Sequence, residues 1–348
     1  MSSTHEIERR TGDVQMSSGT KLDVVTSSKR SSGPRWFSVR RISAAYVLIA
    51  LIVIFSAWSP DVFPHVATIQ QVLNFNAAIG LVSLGLCVPL ACGVFDLSFA
   101  FTMSLSGVTA AKLLVSGAPL WLSLLLAMGV AGLVGAVNAF VILTLKVESL
   151  IATLGTGSLI QALITYVTHD NPVVGNELSG TYMKIGQGRL LGVTLPVIYG
   201  VIAAFVLWYV FDHTPLGRRV YATGFNHEAA KRAGLRVTRL RFGALMTCAL
   251  CAGWGGIVLS SMFNSGTPTA GTPYLLPAFA AVFLGATQIK PGRFNAWGTL
   301  LAVITLGTGI TGLTLSGAPT WSANAFTGVV LITALALTSL KKSSARRA

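Results

Sequence analysis

An all-α, polytopic membrane protein with about ten transmembrane helices and both termini cytoplasmic is what three features of this chain call for. Of its 348 residues, 53% are hydrophobic and only 10% charged, whereas a soluble domain carries about 25% charged residues. Apolar runs of about 20 residues recur along the chain, the length at which a helix crosses a bilayer. The basic residues gather on one side of the resulting serpentine, as cytoplasmic loops require. A mean hydropathy of +0.70 agrees. Long apolar runs with little two-residue alternation argue against an outer-membrane barrel.

Residues 1–41 are Ser-rich, polar and basic, with no apolar core of a cleavable signal peptide, and read as a disordered cytoplasmic tail. The membrane domain is expected over 42–340. Its spans are placed near 43–59, 69–91, 97–116, 119–145, 148–168, 193–212, 242–262, 273–289, 295–316 and 322–340, with a basic cytoplasmic tail over 341–348. In this arrangement 22 of the 25 Lys and Arg residues are cytoplasmic, and only Lys112, Lys184 and Arg189 lie outside. One span more or fewer would scatter these charges over both faces. Count and orientation therefore support each other. A net charge of +14 would suggest nucleic acid in a soluble protein. Distributed this way it does not, and the first partner is the bilayer itself.

The 213–241 loop divides the domain into six spans before it and four after it. Asn226 can cap a short helix that Gly234 ends, and Glu228 and Arg232 stand four residues apart in the favourable order. A helix of two turns is marginal alone in water, so docking against a cytoplasmic partner is expected. The other polar stretch, His169 to Gly192, is turn-rich and lies on the outer side. It reads equally as an extracytoplasmic docking surface or as a connector.

Within the apolar runs, Asp96 is the one acidic residue placed deep. Pro89 and Gly93 break the helix before it. Asp96 and Ser98 can then cap the third span, or Asp96 can serve as a proton or ion site. Asn76, Asn138, Thr153 and Thr156 put polar groups into spans, where they can line a path or bond helix to helix. Small residues at Gly129, Gly132, Ala136 and Ala139, at Gly253, Gly255 and Gly256, and at Gly307, Gly309 and Gly312 mark close helix contacts. Cys248 and Cys251 have the spacing of a redox or zinc pair but sit in an apolar span with no histidine near, so buried hydrophobes are expected and no metal. Neither a phosphate-binding Gly-Lys-Ser/Thr loop, a His-Glu-x-x-His pair nor a Gly-x-Ser-x-Gly elbow is present. No enzyme site is expected, and energy must come from an ion gradient or another subunit.

Several of these segments occur in a fixed order: Phe95-Asp96-Leu97-Ser98, Leu150 to Thr156, Gly224-x-Asn226-x-Glu228-Ala229-Ala230-x-x-Ala233-Gly234, Ala280 to Thr287, and Gly292-Arg293. Together they resemble the permease subunit of ribose-type carbohydrate ABC importers, over about 43–340. The resemblance implies a multi-pass protein of the bacterial cell (inner) membrane, paired with a second copy or a paralogue. A cytoplasmic ABC ATPase would consume ATP and Mg, no cofactor being bound by this chain. An extracytoplasmic binding protein would deliver a ribose-, xylose- or galactose-like monosaccharide. Gly224, Asn226, Glu228, Ala229, Ala230 and Gly234 would form the ATPase-coupling element, and Asn76, Asn138, Thr153 and Thr156 would line the translocation path. Phe99-Ala100, Pro277 and Ile289-Lys290-Pro291 depart from the family pattern and leave the sugar unassigned. An ion-coupled secondary transporter is the runner-up, for which Asp96 is the one candidate group.

Overall fold

The computed structural model describes residues 43–347, with side chains described for 45–336. The tail expected over 1–41 lies outside the described residues. Each expected span has its helix. They are α1 (Ser43–Trp58), α2 (Val66–Ala91), α3 (Phe99–Val115), α4 (Leu120–Leu143), α5 (Ser149–Thr168), α7 (Leu195–His213), α10 (Val237–Phe263), α11 (Leu275–Gly285), α12 (Ala296–Leu315) and α13 (Thr320–Arg347). Six of these are long and apolar enough to cross a membrane: α2, α4, α5, α7, α10 and α12. In the other four the apolar helical stretch among the described residues is shorter, as in α13, where it runs over Thr320–Ala336. Helix α13 continues through Arg347, across the segment expected as a C-terminal tail.

Two short helices were not expected as such, α6 (Thr181–Gln187) and α8 (Pro215–Phe225), whereas α9 (His227–Arg232) is the short helix expected between Asn226 and Gly234. All three lie in the two polar stretches, with a two-residue ribbon of β1 (Arg189–Leu190) and β2 (Val193–Thr194) after α6. The stretch from His169 to Gly192 is more than a connector, because it folds back onto the bundle. Leu178 and Tyr182 are buried, the Tyr182 hydroxyl donates to Ile257 O at 3.3 Å, and Gln187 Nε2 donates to Met262 O at 2.8 Å. Burial pushes the Tyr182 phenol up to about 12, so it remains a donor.

Helix α10 is central and packs on α2, α3 and α4, while α12 packs on α1, α2, α11 and α13. Glycine explains how one helix serves several neighbours. A β-carbon at Gly253, Gly255 or Gly256 would overlap Ala131 of α4, Val82 of α2 or Met103 of α3 respectively. At Gly307, Gly309 and Gly312 the overlap would be with Asn76, Phe326 and Phe55, of α2, α13 and α1. Backbone approach of this kind supplies the dispersion contact that replaces hydrophobic drive inside lipid. The stripe expected on α4 is only partly in place. Gly129 meets nothing, whereas Gly132 is within van der Waals reach of Met246 and Leu250 of α10 and Ala139 is buried. The closest approaches to α10 are made by Ala131 and Gly135, at Gly253 and Ala249.

Helix α11 is shorter than its expected span of 273–289. Eleven residues rise only about 16 Å, less than the hydrocarbon thickness. It manages because protein rather than lipid surrounds it, with Ala278, Ala280, Ala281 and Val282 fully buried. Thr287 and Gln288 are buried in the irregular segment that follows, and non-helical backbone is tolerated at depth only under such cover.

Candidate functional site

The site is built where α2 ends. Pro89 sits inside the last turn of α2, and Gly93 takes φ +73°, a left-handed conformation that favours glycine. The chain then runs as an irregular connector from Cys92 to Ser98 before α3 starts at Phe99. Ser98 makes no capping bond with its own side chain. Asp96 caps from two residues upstream instead: its Oδ1 accepts the Ser98 N–H at 2.9 Å and the Ser98 hydroxyl at 2.7 Å. A carboxylate is well placed there, against the positive end of the helix. Asp96 is fully buried and, among the described residues, forms no ion pair with a cation.

Neighbouring helices hold the connector. Asn138 of α4 donates from Nδ2 to Ser98 Oγ at 2.6 Å. Thr153 Oγ1 of α5 accepts the Leu97 N–H at 3.0 Å, and Ser149 Oγ accepts the Phe95 N–H at 3.1 Å. Glu148 caps α5, its carboxylate oxygens accepting Leu150 N and Ile151 N. Asn138 and Thr153 thus converge on one strap, of which Val94, Asp96 and Ser98 are buried. Asn76 and Thr156 do not join them. Asn76 is buried between α2 and α12, beside Gly307, and donates to Val72 O at 2.7 Å. Thr156 is half-buried and returns its hydroxyl to Ala152 O.

The same strap meets the helices of the 213–241 loop. Helix α8 opens on Thr214, whose hydroxyl accepts Gly217 N, and on Pro215 at the first turn. Its far end brings Gly224 against the end of α2, where a β-carbon would overlap the Ala91 carbonyl oxygen, and Gly93 lies directly opposite. Asn226 then takes an extended conformation and caps α9, its Oδ1 accepting Ala229 N at 3.0 Å. Gly234, at φ +81°, ends the helix, and the Leu235 N–H donates to Ala230 O at 3.0 Å. Both caps stand where the sequence puts them.

Two details differ from expectation. Ala230 is buried and faces the protein, so Ala229, Ala233 and Gly234 are the small residues on the exposed side. Glu228 pairs with His227 Nε2 at 3.3 Å rather than with Arg232; the adjacent imidazole is within reach without ordering a long arginine side chain. A cleft of 430 Å³ separates Glu228 and Lys231 from Glu148 and Ser149. A second, of 450 Å³, lies between Gly93, Phe95, Gly224 and Arg293. The Gly93–Gly224 contact is what sequence reasoning missed. Each glycine was visible, but nothing in one chain's pattern says which distant glycine another meets.

Residues 68–335 match the family model described as branched-chain amino acid transport system / permease component. The chain belongs to that permease family. It is similar to the ribose import permease protein RbsC of Bacillus subtilis (strain 168), 33% identical over 297 residues, 85% of this chain and 92% of that one. RbsC of Escherichia coli (strain K12) is 30% identical over 316 residues, 89% and 98% of the two chains. The D-allose transport system permease protein AlsC of the same strain is 26% identical over 296 residues, 85% and 90%. The permease is accordingly an ABC-importer membrane subunit, multi-pass in the bacterial cell (inner) membrane, as the ordered motifs implied.

Proposed function

We propose that this permease carries a small sugar, a ribose-, xylose- or galactose-like monosaccharide, through an importer whose ATP and Mg are used by a separate cytoplasmic ATPase. An extracytoplasmic binding protein delivers the sugar, and the permease works with a second copy or a paralogue. Its ten helices cross the membrane with both ends cytoplasmic, an orientation supported by the charge asymmetry. The relatives' names support the sugar class, and ribose heads them.

The observation that carries the coupling role is α9 itself. Six residues of capped helix stand outside the apolar helices and present Glu228 and Ala229 outward, with Gly234 exposed just past the helix end. Seated in a cleft of the ATPase, α9 would move when nucleotide closes the partner. Gly224 would push on Ala91 and Gly93, and the strap would transmit that displacement to α3, α4 and α5 through Ser98, Asn138 and Thr153. Rocking of packed helices between outward- and inward-open states follows. Asn138 and Thr153 are positioning residues in this scheme. Thr156 and Asn76 remain the proposed contributors to the path, where binding must stay weak if cargo is to leave.

Capture of the purified ATPase by the permease tests the role. Glu228→Lys with Ala229→Trp alters only the outward face of α9, whereas Ala230→Trp would disturb the fold. The double variant is expected to lose capture while retaining the wild-type melting profile. Undiminished capture refutes the docking role.

A further inference from the structure

A third cleft lies away from α9, where the end of α7 meets the start of α8 and the segment after α11. Its volume is 480 Å³, and its walls include Asp212, Arg218, Tyr221, Lys290 and Arg293. Lys290 is engaged, its Nζ 2.6 Å from Asp212 Oδ2. That pair leaves Arg218 and Arg293 with no carboxylate within ion-pair distance among the described residues. Arg293 is held in place over the Tyr221 ring, its guanidinium carbon 5.5 Å from the centroid. Tyr221 in turn is fixed by donating its hydroxyl to Phe294 O at 2.5 Å. The cleft is therefore preformed and carries two uncompensated positive charges.

Its surroundings say at what depth it sits. Trp208, Tyr209 and His213 cluster at the end of α7, and Trp297 joins Phe205 at a centroid separation of 4.9 Å. Tryptophan and tyrosine collect at the headgroup level of a bilayer. Below the cleft, Ile202, Phe205, Val206 and Tyr209 form an exposed stripe at helical spacing on α7. An apolar stripe leading up to an arginine-lined cleft matches the two ends of one molecule, acyl chain and anionic phosphate.

We propose that Arg218 and Arg293 form a binding site for the headgroup of an anionic phospholipid of the cytoplasmic leaflet. Both guanidiniums can hydrogen-bond a phosphate, while the α7 stripe receives an acyl chain. The occupant is a lipid rather than a protein surface because the apolar stripe continues the cleft into the membrane. The leaflet assignment rests on the orientation proposed above, but binding itself does not.

Native mass spectrometry of the full-length permease in detergent micelles tests the site, with phosphatidylglycerol, phosphatidylcholine of the same chains, or inorganic phosphate added. Wild type is expected to retain phosphatidylglycerol, but neither of the other two. A basic residue beside an anionic lipid surface contributes a factor of about five in affinity, so Arg218→Gln with Arg293→Gln should weaken retention about 30-fold. Arg218→Lys with Arg293→Lys should restore most of it, and Arg236→Gln with Arg239→Gln, which removes equal charge elsewhere, should leave it near wild type. Equal weakening by the two Gln pairs, or none by the first, overturns the site. Retention of inorganic phosphate alone overturns the lipid assignment. Intact lipid retention with loss of ATPase capture in the first Gln pair would give these arginines to a protein interface instead, and would equally overturn the proposal.

Discussion

Asp96 shows how a residue that looks functional by rarity can be explained by local bonding. Its carboxylate satisfies the Ser98 N–H and hydroxyl at the buried start of α3, and Ser98 Oγ is shared with Asn138. Replacing Asn138 by Leu removes one donor from a buried network and is expected to cost about 1–3 kcal/mol, read as a lower melting midpoint. Asp96→Asn keeps an acceptor for Ser98 and should retain uptake, whereas a proton-carrying role for Asp96 would abolish it. Gly224→Ala is the sharpest single change on the strap. A methyl group overlapping the Ala91 carbonyl must push α8 away from α2. The expected outcome is reduced ATP-driven uptake with ATPase capture intact, because α9 itself is untouched.

At the scale of elements, α9 is the piece whose stability is most local. It is too short to persist by propensity and depends on the Asn226 cap and the left-handed Gly234. Asn226→Ala should cost about 1 kcal/mol of local stability and weaken ATPase capture, measured as faster hydrogen exchange over 227–233 together with lower retention. The helices were largely legible in advance, since apolar length and interruptions at Pro89 and Gly93 are written in the chain. The caps were legible too, because Asn and Gly act on their own neighbours. What stayed hidden was pairwise: Gly224 with Ala91, Thr153 with Leu97, Tyr182 with Ile257. The inward turn of Ala230 was hidden for a related reason, a six-residue helix giving no periodicity from which to read its buried face.

For the whole molecule, burial sorts the helices into a centre and a periphery. The spanning windows of α2, α10 and α12 are 72%, 61% and 61% buried, against 28% for α5 and for α7. The outward faces of α5 and α7 therefore meet lipid or another membrane subunit, and the arginine cleft at the end of α7 falls on that boundary. Around the centre, glycine brings the α10 backbone close to α2, α3 and α4. In the coupling scheme proposed above, motion enters at the Gly224 contact with the end of α2, and α9 is the handle attached to it.

Solute accumulation in vesicles tests this most directly, using a panel of monosaccharides and the purified permease with or without ATPase, binding protein and ATP. The account predicts no uphill movement by the permease alone, ATP-driven accumulation by the full assembly, and its loss when the assembly carries Glu228→Lys with Ala229→Trp. Concentrative uptake by the isolated permease without nucleotide, or undiminished uptake by the double variant, would contradict it.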